Sequence, residues 1–200
     1  MFLKNLKIAK SFLKDLMKRR EGRMKFNPNR TFGVEIETHA NVNRQQMERR
    51  LKEALVTGGF PSRRVEATHY GHAPNGLSKW LLKPDASVLA RTEHPNDMEV
   101  VSPVLNGLEG MKELKVVCDT IKNSVVQSRN CGLHTHHGIN ELDSEQARNL
   151  FMQLKQVEDP IFYALPPSRQ ANSYCQRIKN KTWSVARSER RLAFNFQSYF

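Results

Sequence analysis

Cysteine is scarce in this 200-residue sequence: Cys118, Cys131 and Cys175 are odd in number and far apart. That excludes a disulfide framework and points to a reducing, cytoplasmic setting. Long apolar runs are missing too. Nothing approaches the roughly 20 residues that a membrane-spanning helix needs, and the first residues lack the continuous apolar core of a secretory signal. There are no internal repeats and no low-complexity stretches. What is present, 38% hydrophobic and 26% charged residues, describes a soluble globular chain with material for one core, plus at most a short appendage. Acids are the minority, 20 against 32 Lys and Arg, for a formal charge of +12. The excess is local: residues 1–30 hold ten basic and two acidic side chains, a net +8. The basic pI therefore belongs mostly to the N-terminal segment and does not imply nucleic-acid binding by the body.

Within residues 1–28, Phe2, Leu3, Leu6, Ala9, Leu13, Leu16 and Met17 recur at helical spacing among lysines. The spacing predicts a basic amphipathic helix, suited to a membrane surface, nucleic acid, a partner protein or the body's own core. Asn27-Pro28-Asn29 separates it from a body over 29–200.

The body opens with Thr31–Thr38, TFGVEIET. As a strand it places Phe32, Val34 and Ile36 on one face and Glu35 with Glu37 on the other, about 6–7 Å apart. Two adjacent carboxylates need water or a cation, so the strand has either a solvated acidic face or half of a divalent-metal site. Asn43 is placed to cap a helix that buries Met47, Leu51, Ala54 and Leu55 and ends at Gly58-Gly59. Strands are predicted near Val65–Tyr70, over Lys79–Lys83, over Met98–Val101 and over 131–139. A helix over 108–126 carries the stripe Leu108, Met111, Leu114, Cys118, Ile121 and Val125. Asp143 with Gln146 predicts a capping box for a helix burying Ala147, Leu150, Phe151, Leu154 and Val157, its continuation bounded by Pro160 and Pro166-Pro167. Phe194–Phe200 alternates like a further strand.

Three strands thus carry Glu35 with Glu37, Glu99, and His134 with His136, and Asp85 follows a fourth. If the strands are neighbours, these groups share one face, a donor set suited to Mg²⁺ or Mn²⁺ and to phosphates. Each also has a plain alternative: Glu99 as an exposed strand residue, Asp85 as a turn residue, the histidines as hydrogen-bonded structural groups. H-T-H beside Cys131 admits zinc, although no C-x-x-C or H-E-x-x-H spacing accompanies it.

The ordered set FGVEIE, W-x-x-K-P-D-x-S, E-V-V-S-P-V-L-x-G and C-G-L-H-T-H-H-G, followed by L-P-P-S-R-Q-A-N-S-Y-C, resembles the amidoligase family. It is similar in its strand motifs to glutamine synthetase and glutamate–cysteine ligase. The resemblance covers about residues 31–200. It implies an α+β fold: a curved, mainly antiparallel sheet backed by helices, like the glutamine synthetase catalytic domain. It also implies an ATP-dependent carboxylate–amine ligase that works through an acyl phosphate with Mg²⁺ or Mn²⁺. Glu35, Glu37, Glu99 and His134 would then bind metal, and His134, His136 and Arg169 the nucleotide phosphates. Asp85 would sit near the substrate or the incoming amine, and Arg169 would act on the acyl phosphate. The family's further T-x-E-F-R strand has no counterpart before Phe200. The resemblance therefore leaves open a truncated gene, completion by a second chain or a homo-oligomer, or a non-catalytic binding and assembly protein with the same fold.

Overall fold

The computed structural model describes residues 29–69, 78–85, 88, 96–128, 130–189, 191–194 and 196. The predicted N-terminal helix lies outside them, as does most of the predicted strand over Phe194–Phe200. The chain divides into two compact units, Asn27–Gly138 and a second that includes Ile139–Phe200. Among the described residues no helix is long and apolar enough to cross a membrane.

Among the described residues, the first unit is a seven-stranded sheet with two helices. Its strands are β1 (Thr31–Ala40), β2 (Arg64–Ala67), β3 (Lys79–Lys83), β4 (Asn96–Val101), β5 (Leu105–Asn106), β6 (Val125–Val126) and β7 (Leu133–His137). β1 is the central strand. One edge pairs with β4 and then β5, and the other with β7 and then β6, all antiparallel. β3 continues antiparallel from β4, but β2 joins β3 in parallel, so the sheet is mixed rather than antiparallel throughout. Between β4 and β5 the chain turns through Ser102-Pro103. There Ser102 keeps the ladder whole: its N–H donates to Val34 C=O at 2.9 Å, and its Oγ accepts from Val34 N–H at 2.8 Å.

Helix α1 (Arg44–Thr57) begins with the predicted cap, Asn43, which with Gln46 completes a capping box, and it buries Met47, Leu51 and Leu55. These side chains join Val34, Ile36, Trp80, Leu82, Met98 and Val100 in one core. Burying each large apolar side chain contributes about 1.5–3 kcal/mol. Helix α2 (Gly107–Ile121) is rotated from its predicted face. It buries Gly107, Gly110, Glu113, Val117 and Ile121, whereas Leu108, Met111 and Cys118 are exposed. Two contacts fix the rotation. Glu113 is buried because Trp80 Nε1 and Arg63 Nε donate to its carboxylate at 2.8 and 2.9 Å. At Gly110, a Cβ would lie 2.8 Å from Leu105 Cβ and 3.1 Å from its backbone carbon, so the helix approaches β5 closely.

The second unit contains α3 (Ser144–Ala164), α4 (Pro167–Gln170) and α5 (Trp183–Ser188). Asp143 and Gln146 form the predicted capping box. The helix runs through Pro160 rather than ending there, held on either side of it by buried Glu158 and Phe162. Its core holds Phe151, Ile178, Ala186, Leu192 and Phe196, with Leu150, Leu154 and Trp183 partly buried. Phe151, Trp183 and Phe196 meet with ring centroids 5.0–6.1 Å apart. Glu158, fully buried, accepts from the backbone N–H groups of Ile178 and Lys179.

Candidate active site

The face of the sheet opposite the first unit's core is set by register. Directly paired residues share a face, and β1 pairs Glu37 with Glu99 of β4 and Glu35 with His134 of β7. Lys83 of β3 pairs with Glu99 in turn. Alternation then brings Lys83, Glu99, Glu37, Glu35, His134 and His136 onto one surface across four strands. The next residue on that face of β1, His39, is wholly buried, with Nε2 3.0 Å from Ser128 Oγ, and closes the polar row at that end.

Contacts run diagonally between strands. His134 Nε2 lies 3.4 Å from Glu37 Oε1, and His136 Nε2 lies 3.4 Å from Glu35 Oε1. Lys83 Nζ stands off Glu99 Oε2 at 3.9 Å. Glu37 is held further by Gly132, whose N–H donates to Oε2 and whose C=O accepts from Glu37 N–H at 3.1 Å. Asp85, just beyond β3, donates its backbone N–H to Asp97 Oδ2 at 3.1 Å, and its charge reaches Glu99. Of the residues singled out in the sequence, Glu35, Glu37, Glu99, His134, His136 and Asp85 are therefore gathered together. Arg169 belongs to the second unit, in α4, within electrostatic reach of the Cys175 thiol. The sulfur of Cys131 is engaged by Ser128, accepting from its N–H at 3.4 Å.

The electrostatics follow from this crowding. The Glu35 carboxyl is held below its ordinary value, chiefly by its contact with His136. The Glu37 contact raises His134 and the Glu35 contact raises His136, each against the opposing effect of burial. Glu99 goes the other way. Burial and the charges of Glu35, Asp85 and Glu37 outweigh Lys83 and push it up to about 7.

Among the described residues, no group of three or more His, Cys, Asp or Glu side chains is arranged to hold a metal ion as it stands. Glu35 and Glu37 face imidazoles instead. In kind and charge, however, the donors suit a hard divalent cation. Three carboxylates share the surface with Lys83 and two imidazoles, and the repulsion of Glu35, Asp85 and Glu37, which adds to burial in raising Glu99, is what a bound cation would relieve. The described grooves lie elsewhere, one between α1 and α2 (Arg50, Gly58, Asp119) and one beside Arg63 and Glu113.

Lys83, Asp97 and Gly132 are the participants that sequence reasoning passed over. Lys83 and Gly132 stand inside the motifs W-x-x-K-P-D and C-G-L-H, two residues from Asp85 and from His134, which is the signal that could have found them. Asp97 had no such signal, because its role depends on the register of β4.

No curated protein and no solved structure matches the chain. A family model described as putative amidoligase enzyme matches residues 28–193, most of its length and every strand and helix described above. The chain belongs to this amidoligase family.

Proposed function

We propose that the protein is an ATP- and Mg²⁺-dependent (or Mn²⁺-dependent) carboxylate–amine ligase of the reducing cytoplasm, with a sheet of the glutamine synthetase kind. Its substrates are a carboxylic acid and an amine, joined as an amide after phosphorylation of the acid. The observation that carries this reading is the convergence of Glu35, Glu37, Glu99, His134 and His136 on one sheet face, in a chain of the amidoligase family.

Phosphoryl transfer needs little covalent help from a protein. It needs positive charge around the transferring group and good alignment. Glu35, Glu37, Glu99 and His134 would hold the divalent cation, which when bound neutralises phosphate charge. Lys83 stands 3.9 Å from Glu99, beyond hydrogen-bond range, so its ammonium can turn to a phosphate oxygen at little cost. His136 offers a second N–H donor toward the same phosphates, and Arg169 is proposed for the acyl phosphate through its planar fork of donors. Asp85, fixed at its backbone by Asp97, is proposed to orient the amine and accept its proton. The second substrate needs no nucleophilic side chain, because the amine attacks the activated acid directly.

Calorimetric titration of the full chain with ATP and MgCl₂ tests the reading. Wild type is expected to bind, and the double variant Glu35→Ala/Glu37→Ala to bind at least about tenfold more weakly, roughly 1.4 kcal/mol. Equal binding by both proteins, or none by wild type, would return the chain to the class of non-catalytic binding and assembly proteins.

A further inference from the structure

We propose that Gly132 is a positioning residue of the carboxylate face: its bare α-carbon is the space into which the Glu37–His134 pair is gathered. The inference rests on the ligase reading above for its purpose, but its geometry stands apart from that reading.

Gly132 lies just before β7 and grips Glu37 twice. Its C=O accepts from the Glu37 backbone N–H, continuing the pairing along β1 between β7 and β6, and its own N–H donates to Glu37 Oε2. One carboxylate oxygen is thereby fixed by a charge-assisted hydrogen bond. The other, Oε1, is left facing His134 Nε2 at 3.4 Å. The site thus receives an oriented carboxylate rather than a freely rotating one, which is what preorganisation requires.

A glycine is needed here because of the site and not because of the backbone. Among the described residues only Gly59 and Gly107 have positive φ, so the conformation at 132 is open to any L-residue. A Cβ added at 132 would lie 2.8 Å from His134 Nε2, 3.0 Å from Glu37 Oε2 and 3.2 Å from Glu37 Cδ. These three nearest atoms are the functional ends of the two side chains. Gly110 is a useful contrast, because there the added atom meets the β-carbon and backbone of Leu105 and the helix itself would have to move. A methyl at 132 displaces only side-chain tips, at small cost to the fold. It does so where displacement matters most, since a shift of about 1 Å in a positioned group is enough to disable a site.

The experiment compares Gly132→Ala with wild type and with Gly110→Ala in the full chain. Gly132→Ala is expected to leave Tm within about 2 °C of wild type, while Gly110→Ala lowers it clearly. In ¹H–¹³C spectra the ring resonances of His134 are expected to move in Gly132→Ala, and those of His136, paired with Glu35, to stay in place. Affinity for ATP with MgCl₂ is expected to fall at least tenfold. Unmoved His134 resonances, or a loss of Tm as large as that of Gly110→Ala, would overturn the proposal, the second outcome making Gly132 a packing glycine. If wild type binds no nucleotide, the ligase reading fails, and the His134 resonances still decide the role of Gly132.

Discussion

A glutamate that keeps its proton to about pH 7 opposes folding whenever it is ionised. Glu99 is in this position because burial and the carboxylates of Glu35, Asp85 and Glu37 outweigh Lys83. Its ordinary value is 4.5, so the folded chain binds an extra proton between about 4.5 and 7. The stabilisation is complete below 4.5 and is lost as pH rises through about 7. His134 and His136, both raised by their glutamates, act in the same sense, losing their contribution as pH rises above 6.5. Glu35, lowered, opposes them by losing its contribution as pH falls below 4.5. Glu99→Gln should therefore be as stable as wild type below pH 4.5 and more stable at pH 8, by roughly 1–3 kcal/mol once solvent screening is allowed for. Urea denaturation at both pH values measures it, and a gain independent of pH would exclude this origin. Lys83→Met should move Glu99 above its present value, which carboxyl ¹³C titration would register. At this scale the sequence was informative where alternation alone places a group, as for Glu35 with Glu37 and His134 with His136. It was silent where placement depends on register between strands, as for Lys83 against Glu99 and Asp97 against the Asp85 backbone.

Strand β1 can be central only if its whole length is paired, and the join between β4 and β5 is its weak point. Pro103 cannot donate to a ladder, so the buried Ser102 hydroxyl accepts from Val34 N–H in place of a strand carbonyl. Ser102→Ala should orphan that N–H and cost about 1–3 kcal/mol, with Ser102→Thr recovering most of it. A lowered urea midpoint in the alanine variant and a near-normal one in the threonine variant is the expected result; equal midpoints for all three would mean that water serves Val34 instead. The same distinction governs how legible the elements were. The starts of α1 and α3 follow from Asn43 with Gln46 and Asp143 with Gln146, because a capping box is complete within four residues. The rotation of α2 does not follow from its own sequence. Leu108, Met111 and Cys118 make the better apolar stripe, yet the buried face is Gly110, Glu113 and Val117. That choice is made by Trp80, Arg63 and Leu105, partners 5 to 50 residues away, which no helical period can report.

Two separate cores give the chain two units whose stabilities have different sources. The first rests on the strands around β1 with α1 and α2. The second is small, its apolar core built around the Phe151–Trp183–Phe196 cluster, and it leans on one buried carboxylate. Glu158 is fully buried, and its two oxygens accept from Ile178 N–H at 2.5 Å and Lys179 N–H at 3.0 Å. These bonds fasten the segment leading to α5 back onto α3. Hydrogen bonds to an ionised group contribute about 1.5–3 kcal/mol each, so Glu158→Ala, which strips both amides at once, should cost the second unit about 3 kcal/mol or more. A small apolar core of this kind has little stability beyond that, and the unit should open while the sheet persists. Amide hydrogen exchange tests this residue by residue. Protection at Ile178, Lys179 and Ala186 should fall about a hundredfold, while that of Val34, Ile36 and Val100 remains at its wild-type level. Equal loss in both groups would instead make the chain one cooperative unit, and the carboxylate face on β1 would then depend on Glu158 as much as on its own strands.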